Sequence, residues 1–167
     1  MKRRDFVGSA VVASIGGALF SRTASATTTL AGAASGIPVE PLSALPNVTV
    51  YKSATCECCK DWITYMQKSG FVVKSIDMND LRPVKSASGV PAAMESCHTA
   101  LIGSYVVEGH VPADLIKKML DEKPAIIGLA VPGMVVGSPG MEQGSAKQPY
   151  NVMAFAKGGK TSVYARR

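Results

Sequence analysis

The chain has 167 residues, 47% hydrophobic and 18% charged, with a formal net charge of +6 and four cysteines. That length supports one domain with its own core, so the cysteines are not needed as staples for a small scaffold. Beyond the N-terminus the basic residues are scattered and form no block of the kind that tracks phosphates, which argues against nucleic acid as a partner.

In chain order, Lys2, Arg3 and Arg4 precede an uncharged apolar run at 7–20 and then Ala24-Ser25-Ala26. This is the layout of a signal peptide, expected to span residues 1–26. The run is shorter than the about 20 apolar residues of a membrane span. Lys2-Arg3-Arg4-Asp5-Phe6-Val7 resembles a twin-arginine signal, and a general secretory signal fits as well. Either route leads to a periplasmic protein with no stable membrane span once the signal is removed. Cleavage takes away four positive charges and one negative, lowering the net charge from +6 to +3. Half of the basic character therefore belongs to targeting.

Residues 27–47 are rich in Thr, Ala, Ser, Gly and Pro and read as a flexible lead-in. Residues 48–52 alternate and are β-branched, which predicts a first strand. Thr55 can cap a helix that starts at the cysteines. Trp62, Ile63 and Met66 give that helix an apolar face, and Gly70 ends it. A second strand is expected at 71–76 and a short helix at 79–88, broken at its start by Pro83. Residues 98–102 and 105–108 read as a hairpin around Gly103-Ser104, and Pro112 opens a helix over 113–120. The glycine- and proline-rich stretch 128–144 reads as a long ordered loop. A last hairpin joins 152–155 to 161–165. The expected fold is α/β: a thioredoxin-like β-α-β-α-β-β-α core over 48–167, with an added Gly/Pro-rich loop and a C-terminal hairpin.

The chemistry gathers at the cysteines. Cys56, Cys58 and Cys59 form C-E-C-C, and Cys97 stands beside His98, one of two histidines in the chain. Three thiols within four residues do not lay out as ordinary structural disulfides, and a Cys56–Cys58 ring would be badly strained. Cys56 and Cys59 are themselves a C-x-x-C at a helix start, where backbone N–H groups favour thiolates. That serves a redox dithiol or a metal site equally well. Thioredoxin-like redox proteins place a cis-proline before the third strand, facing the dithiol. Here Ser96, Cys97 and His98 occupy that region, and Pro91 comes too early. A thiol and an imidazole there would supply the other wall of a metal site, with Cys56, Cys58, Cys59, Cys97 and His98 as the candidate ligands. Side-chain alternation leaves His98 the less secure of the five.

Soft thiolates suit Cu(I) or Zn. Crowding favours copper, because closely spaced thiolates can bridge several Cu(I) ions. An oxidising compartment would close Cys56–Cys59 unless metal held the thiols, so loading and oxidation should compete. The scarcity of histidine and the lack of an Asp/Glu cluster disfavour a catalytic Zn, Fe or Mg centre. A non-catalytic metal-binding role is favoured, with thiol or copper redox chemistry left open. His110 reads as a structural histidine buttressing the next helix, with a role near the metal as the alternative. Met134 and Met141 read as core filler, with Cu(I) hand-over as the alternative. Trp62 reads as core packing, and Lys60 and Asp61 as the solvated side of the first helix.

Four segments together resemble the periplasmic CopG-type copper-resistance proteins. They are K-S-A-T-C-E-C-C-K-D-W at 52–62, G-V-P at 89–91, S-C-H-T-A-L-I-G-S-Y-V-V-E-G-H-V-P at 96–112, and G-L-A-V-P-G-M followed by G-S-P-G-M-E, ending at Glu142. The resemblance covers residues 48–167. It implies a thioredoxin-like fold and copper held by the clustered cysteines, with a multinuclear Cu(I) cluster of the type. By that resemblance Cys56, Cys58, Cys59 and Cys97 are the bridging thiolates and His98 lies at the site. The partners it suggests are copper ions and periplasmic copper chaperones or efflux components. The family often has proline where this chain has Val135, which bears on the loop's rigidity and not on the ligands.

Overall fold

A computed structural model describes residues 45–167. The signal expected at 1–26 and most of the lead-in expected at 27–47 lie outside the described residues. Strand β1 (Val48–Lys52) leads into helix α1 (Glu57–Lys68), followed by β2 (Val73–Asp77), α2 (Arg82–Ala87), β3 (His98–Ile102), β4 (Tyr105–Glu108) and α3 (Ala113–Glu122). After α3 come β5 (Gly128–Ala130), β6 (Asn151–Phe155) and β7 (Thr161–Arg166). The fold is α/β, and its element order through α3 is the expected β-α-β-α-β-β-α.

The seven strands form one sheet in the order β2-β1-β3-β4-β5-β6-β7. The β1–β2 and β4–β5 pairs are parallel and the others antiparallel. Pleating sends alternate residues to opposite faces. One face carries the larger core, where Val48, Val50, Ala100, Ile102, Val107 and Leu129 meet Trp62 and Met66 of α1 and Ile116 and Met119 of α3. The other face holds a smaller cluster of Val90, Val106, Ala130 and Phe155. Helix α1 buries Cys59, Trp62 and Met66, spaced three and four apart, so one helical stripe carries both the site and the core contact.

Several expectations shift. Thr55 does not cap α1; Cys56 holds the N-cap position and makes no side-chain cap bond. Prolines define two helix starts, with Pro83 in the first turn of α2 and Pro112 at the N-cap of α3. The stretch expected to be loop from 128 onward opens with β5. Its Gly128 approaches β4 so closely that a Cβ would stand 1.8 Å from the Val106 carbonyl oxygen. Glycine hides a strand from propensity arguments because it is normally depleted there, and here it permits the pairing. Among the described residues no helix is long and apolar enough to cross a membrane.

Candidate metal centre

The site begins where β1 ends. Lys52, buried at that end, bonds Asp77 Oδ1 of β2 at 2.6 Å and the Ser53 carbonyl at 3.2 Å. The Cys56 N–H donates to the Ser53 carbonyl at 3.1 Å, and the chain turns directly into α1. Cys56, Cys58 and Cys59 thus sit at the N-terminus of α1, where unpaired N–H groups and the helix dipole favour negative sulfur. Cys56 and Cys59 are joined in a disulfide with Cα atoms 5.3 Å apart, whereas Cys58 and Cys97 are free. Two of the three clustered thiols are therefore paired, in the C-x-x-C combination that oxidising conditions would close. Cys58 Sγ lies 3.6 Å from Cys56 Sγ.

The opposite wall comes from the β3–β4 hairpin. Its two-residue turn pairs Ile102 with Tyr105 and Thr99 with Glu108. Extending that register past the strands brings the Gly109 N–H to the His98 carbonyl at 2.9 Å and sets Cys97 opposite His110. The four cysteine sulfurs all lie within 4.8 Å of one another. Cys97 also anchors a second group with both histidines: its Sγ is 3.3 Å from His98 Nδ1 and 3.0 Å from His110 Nε2. The Cys59 Sγ is 3.8 Å from the Cys97 carbonyl, which draws the two walls together. The five candidate ligands thus fall in two groups that share Cys97, and His110 belongs to the second. This contact favours the alternative reading of His110, a role near the metal, over a buttress for α3. The signal was present in the turn: a hairpin centred on Gly103-Ser104 pairs position 97 with position 110.

The two imidazoles differ in their support. His110 Nδ1 is 2.7 Å from the Pro139 carbonyl, which can only accept, so this nitrogen carries the proton and Nε2 presents a bare lone pair to Cys97. A metal-binding histidine is ordinarily held in that manner, with its far nitrogen donating to a carbonyl or carboxylate. His98 is fully buried against Trp62 at a ring separation of 4.5 Å, and its Nε2 has no hydrogen-bond partner. Burial lowers the basicity of His98 far below the ordinary histidine value, with His110 and Lys85 nearby adding to the effect. Burial lowers His110 as well, against the opposing pull of its Pro139 bond. Both rings are neutral near pH 7. Burial, reinforced by Cys58, pushes the Cys97 thiol up to about 12. Without a cation the site thus keeps Cys97 protonated, and a soft cation replacing that proton would relieve the penalty.

A buried ionic network fixes the segment that carries Cys97 into β3. Glu108 pairs with Lys85 of α2, accepts from Thr99 Oγ1 at 2.7 Å, and accepts from the Ser96 N–H at 2.7 Å. Burial raises the Glu108 carboxyl, and Lys85, Thr99 and the Ser96 N–H oppose the rise. The carboxylate grips the backbone one residue before Cys97.

Residues 133–142 form a strap over the site. Ser96 Oγ donates to the Gly133 carbonyl, Gly133 N–H to the Glu95 carbonyl at 3.1 Å, and Pro139 receives His110. Gly140, at φ +81°, packs on the start of α1, where a Cβ would come within 2.6 Å of Trp62 N and 3.0 Å of the Cys58 carbonyl. Met134 on this strap is 59% exposed, so it does not fill the core as its residue type suggested. Met141 is half-buried. Trp62 is core, as expected, and its Nε1 donates to the Val111 carbonyl at 3.0 Å, tying α1 to the segment that carries His110.

A family model described as a protein of unknown function, DUF411, matches residues 94–141, the span holding Cys97, both histidines and most of the strap. Two solved structures, forms 1 and 2 of a copper resistance protein CopG, are each 46% identical to the chain with a TM-score of 0.70. Each match covers 74% of this chain and 98% of the other. No curated protein matches.

Proposed function

The chain belongs to the family of the copper resistance protein CopG, and from that membership we propose that it binds copper as Cu(I), more than one ion per chain, in the periplasm. The observation that carries this reading is the convergence of four sulfurs within 4.8 Å on one protected wall-to-wall site. Four thiolates around one ion would suit zinc as well. Sulfurs this close, three of them from one turn of chain, favour bridging between soft monovalent ions, each thiolate serving two. Cys56, Cys58, Cys59 and Cys97 are the thiolate ligands. The imidazoles flank Cys97: His110 offers a lone pair with its far nitrogen already engaged, and His98 offers Nδ1 from the buried side. The four-stranded part β2-β1-β3-β4 with its helices serves as a thioredoxin-like scaffold whose substrate edge has become a ligand wall. Copper is the cargo, and chaperones or efflux components are the exchange partners that such a role requires.

Copper and oxidation compete for the same sulfurs, because a closed Cys56–Cys59 bond withdraws two ligands. The same disulfide favours a second reading, a thiol–disulfide oxidoreductase. The test is an anaerobic Cu(I) titration of the reduced protein against a chromophoric chelator, with Cys97→Ser in parallel and Zn(II) as competitor. Several Cu(I) per chain, lost in the variant and resistant to Zn(II), is the expected result. Weak Cu(I) binding together with an easily reduced Cys56–Cys59 bond would instead establish the oxidoreductase.

A further inference from the structure

Closing the Cys56–Cys59 bond removes two sulfurs but leaves a compact donor set intact. Cys58 and Cys97 remain free thiols, and their sulfurs lie within 4.8 Å of each other. Cys97 Sγ is 3.0 Å from His110 Nε2 and 3.3 Å from His98 Nδ1 while the disulfide is in place. None of these four side chains needs the disulfide sulfurs to hold its position. Cys97 is held by the Ser96–Glu108 bond, His110 by Pro139, and Cys58 by the first turn of α1. Cys58 and Cys97 are half-buried, so the set is open on one side and closed on the other by two buried rings.

We propose that the disulfide-closed protein retains a one-ion Cu(I) site built from Cys97, His98 and His110, whose donor atoms all lie within 4.8 Å of one another, with Cys58 alongside. The proposal rests on the copper-binding reading above. One thiolate and two imidazoles satisfy Cu(I), a soft ion content with few ligands. The His110 ring is already in the required tautomer, because the Pro139 carbonyl holds the proton on Nδ1. Loading releases the Cys97 proton to solvent. No electron moves, and the Cys56–Cys59 bond stays closed. When a disulfide-class oxidant takes the two electrons released as the Cys56 and Cys59 thiolates join, the ions that need those sulfurs are expelled and one is left behind, so disulfide formation alone never empties the protein.

The experiment is an anaerobic titration of the air-oxidised protein with acetonitrile-stabilised Cu(I), no thiol reductant present, against a chromophoric chelator. Free thiols are counted before loading and after the metal is stripped. A Cys56→Ser/Cys59→Ser variant is titrated alongside, because it lacks both the disulfide and its sulfurs. The expected result is one Cu(I) per chain in both proteins, with two free thiols throughout the wild-type titration. Cys97→Ser should abolish that ion, and His110→Ala should weaken it by no less than the about 10- to 100-fold typical for losing even an outer partner of a metal site. No Cu(I) in the oxidised protein and the double-serine variant, with several bound by the reduced protein, would overturn the residual site while leaving the copper reading standing. No Cu(I) in any state would sink both. One ion that survives Cys97→Ser would place it elsewhere and overturn the assignment.

Discussion

Cys97 touches every other candidate ligand group, and its chemistry governs the site. Burial holds its thiol up to about 12, so the metal-free protein keeps the proton on sulfur. Thiolates are the nucleophiles, so a thiol held this high is almost wholly un-ionised at pH 8. In the disulfide-closed protein, Cys97 is expected to alkylate at least about a hundredfold more slowly at pH 8 than in urea, followed by mass spectrometry of trapped peptides. Equal rates would show that the site does not protect the thiol. The same proton must leave when metal enters, so apparent Cu(I) affinity should rise with pH across the neutral range. Glu108 acts one residue away. Glu108→Gln would leave Lys85 buried without its counter-ion, at a cost of about 3–5 kcal/mol of stability. Replacing both, as Lys85→Met with Glu108→Leu, should recover much of that loss in urea unfolding. It should not restore the grip on Ser96, because leucine cannot accept the backbone N–H.

At the scale of elements, the site is an encounter between one helix start, one hairpin and one strap. The hairpin is rigid because β3 and β4 lie within the sheet, each paired on both sides. The strap is held by Gly133 at one end, Pro139 on His110, Gly140 against α1, and two hydrogen bonds between Val136 and Gln148. Gly140 is required twice over, by its positive φ and by the lack of room for a Cβ. Gly140→Ala should therefore lift the strap from α1, release the His110 ring from Pro139, and weaken Cu(I) binding about tenfold. Far-UV circular dichroism should stay unchanged, since no helix or strand of the sheet is altered. Unchanged affinity would mean that the strap is a passive cover.

For the whole molecule, the neutral histidines make stability depend on pH. The unfolded chain takes up protons on His98 and His110 below about pH 6.5, whereas the fold resists both because burial lowers their basicity. Their contribution is complete above that pH and is lost as pH falls toward the folded values, by up to about 1.4 kcal/mol per pH unit for each ring. Glu108 works in the opposite sense at lower pH, because its folded carboxyl takes up a proton before the unfolded one does. The disulfide-closed, metal-free protein should thus lose urea resistance between pH 7.5 and 5.5. A flat profile would show that the rings titrate normally. What the sequence by itself determined was local: the cysteines at a helix start, the turn at Gly103-Ser104, the proline-opened helices and the element order. These depend on backbone preferences and on repeats of two and 3.6 residues, which neighbours in the chain establish among themselves. Tertiary structure alone decided that Pro139 would set the His110 tautomer, that Glu108 would clamp Ser96 through a buried lysine, that G-L-A would join the sheet, and that Met134 would face solvent. Each of those outcomes depends on which distant segment fills the space beside a group, and packing, not local preference, supplies that neighbour.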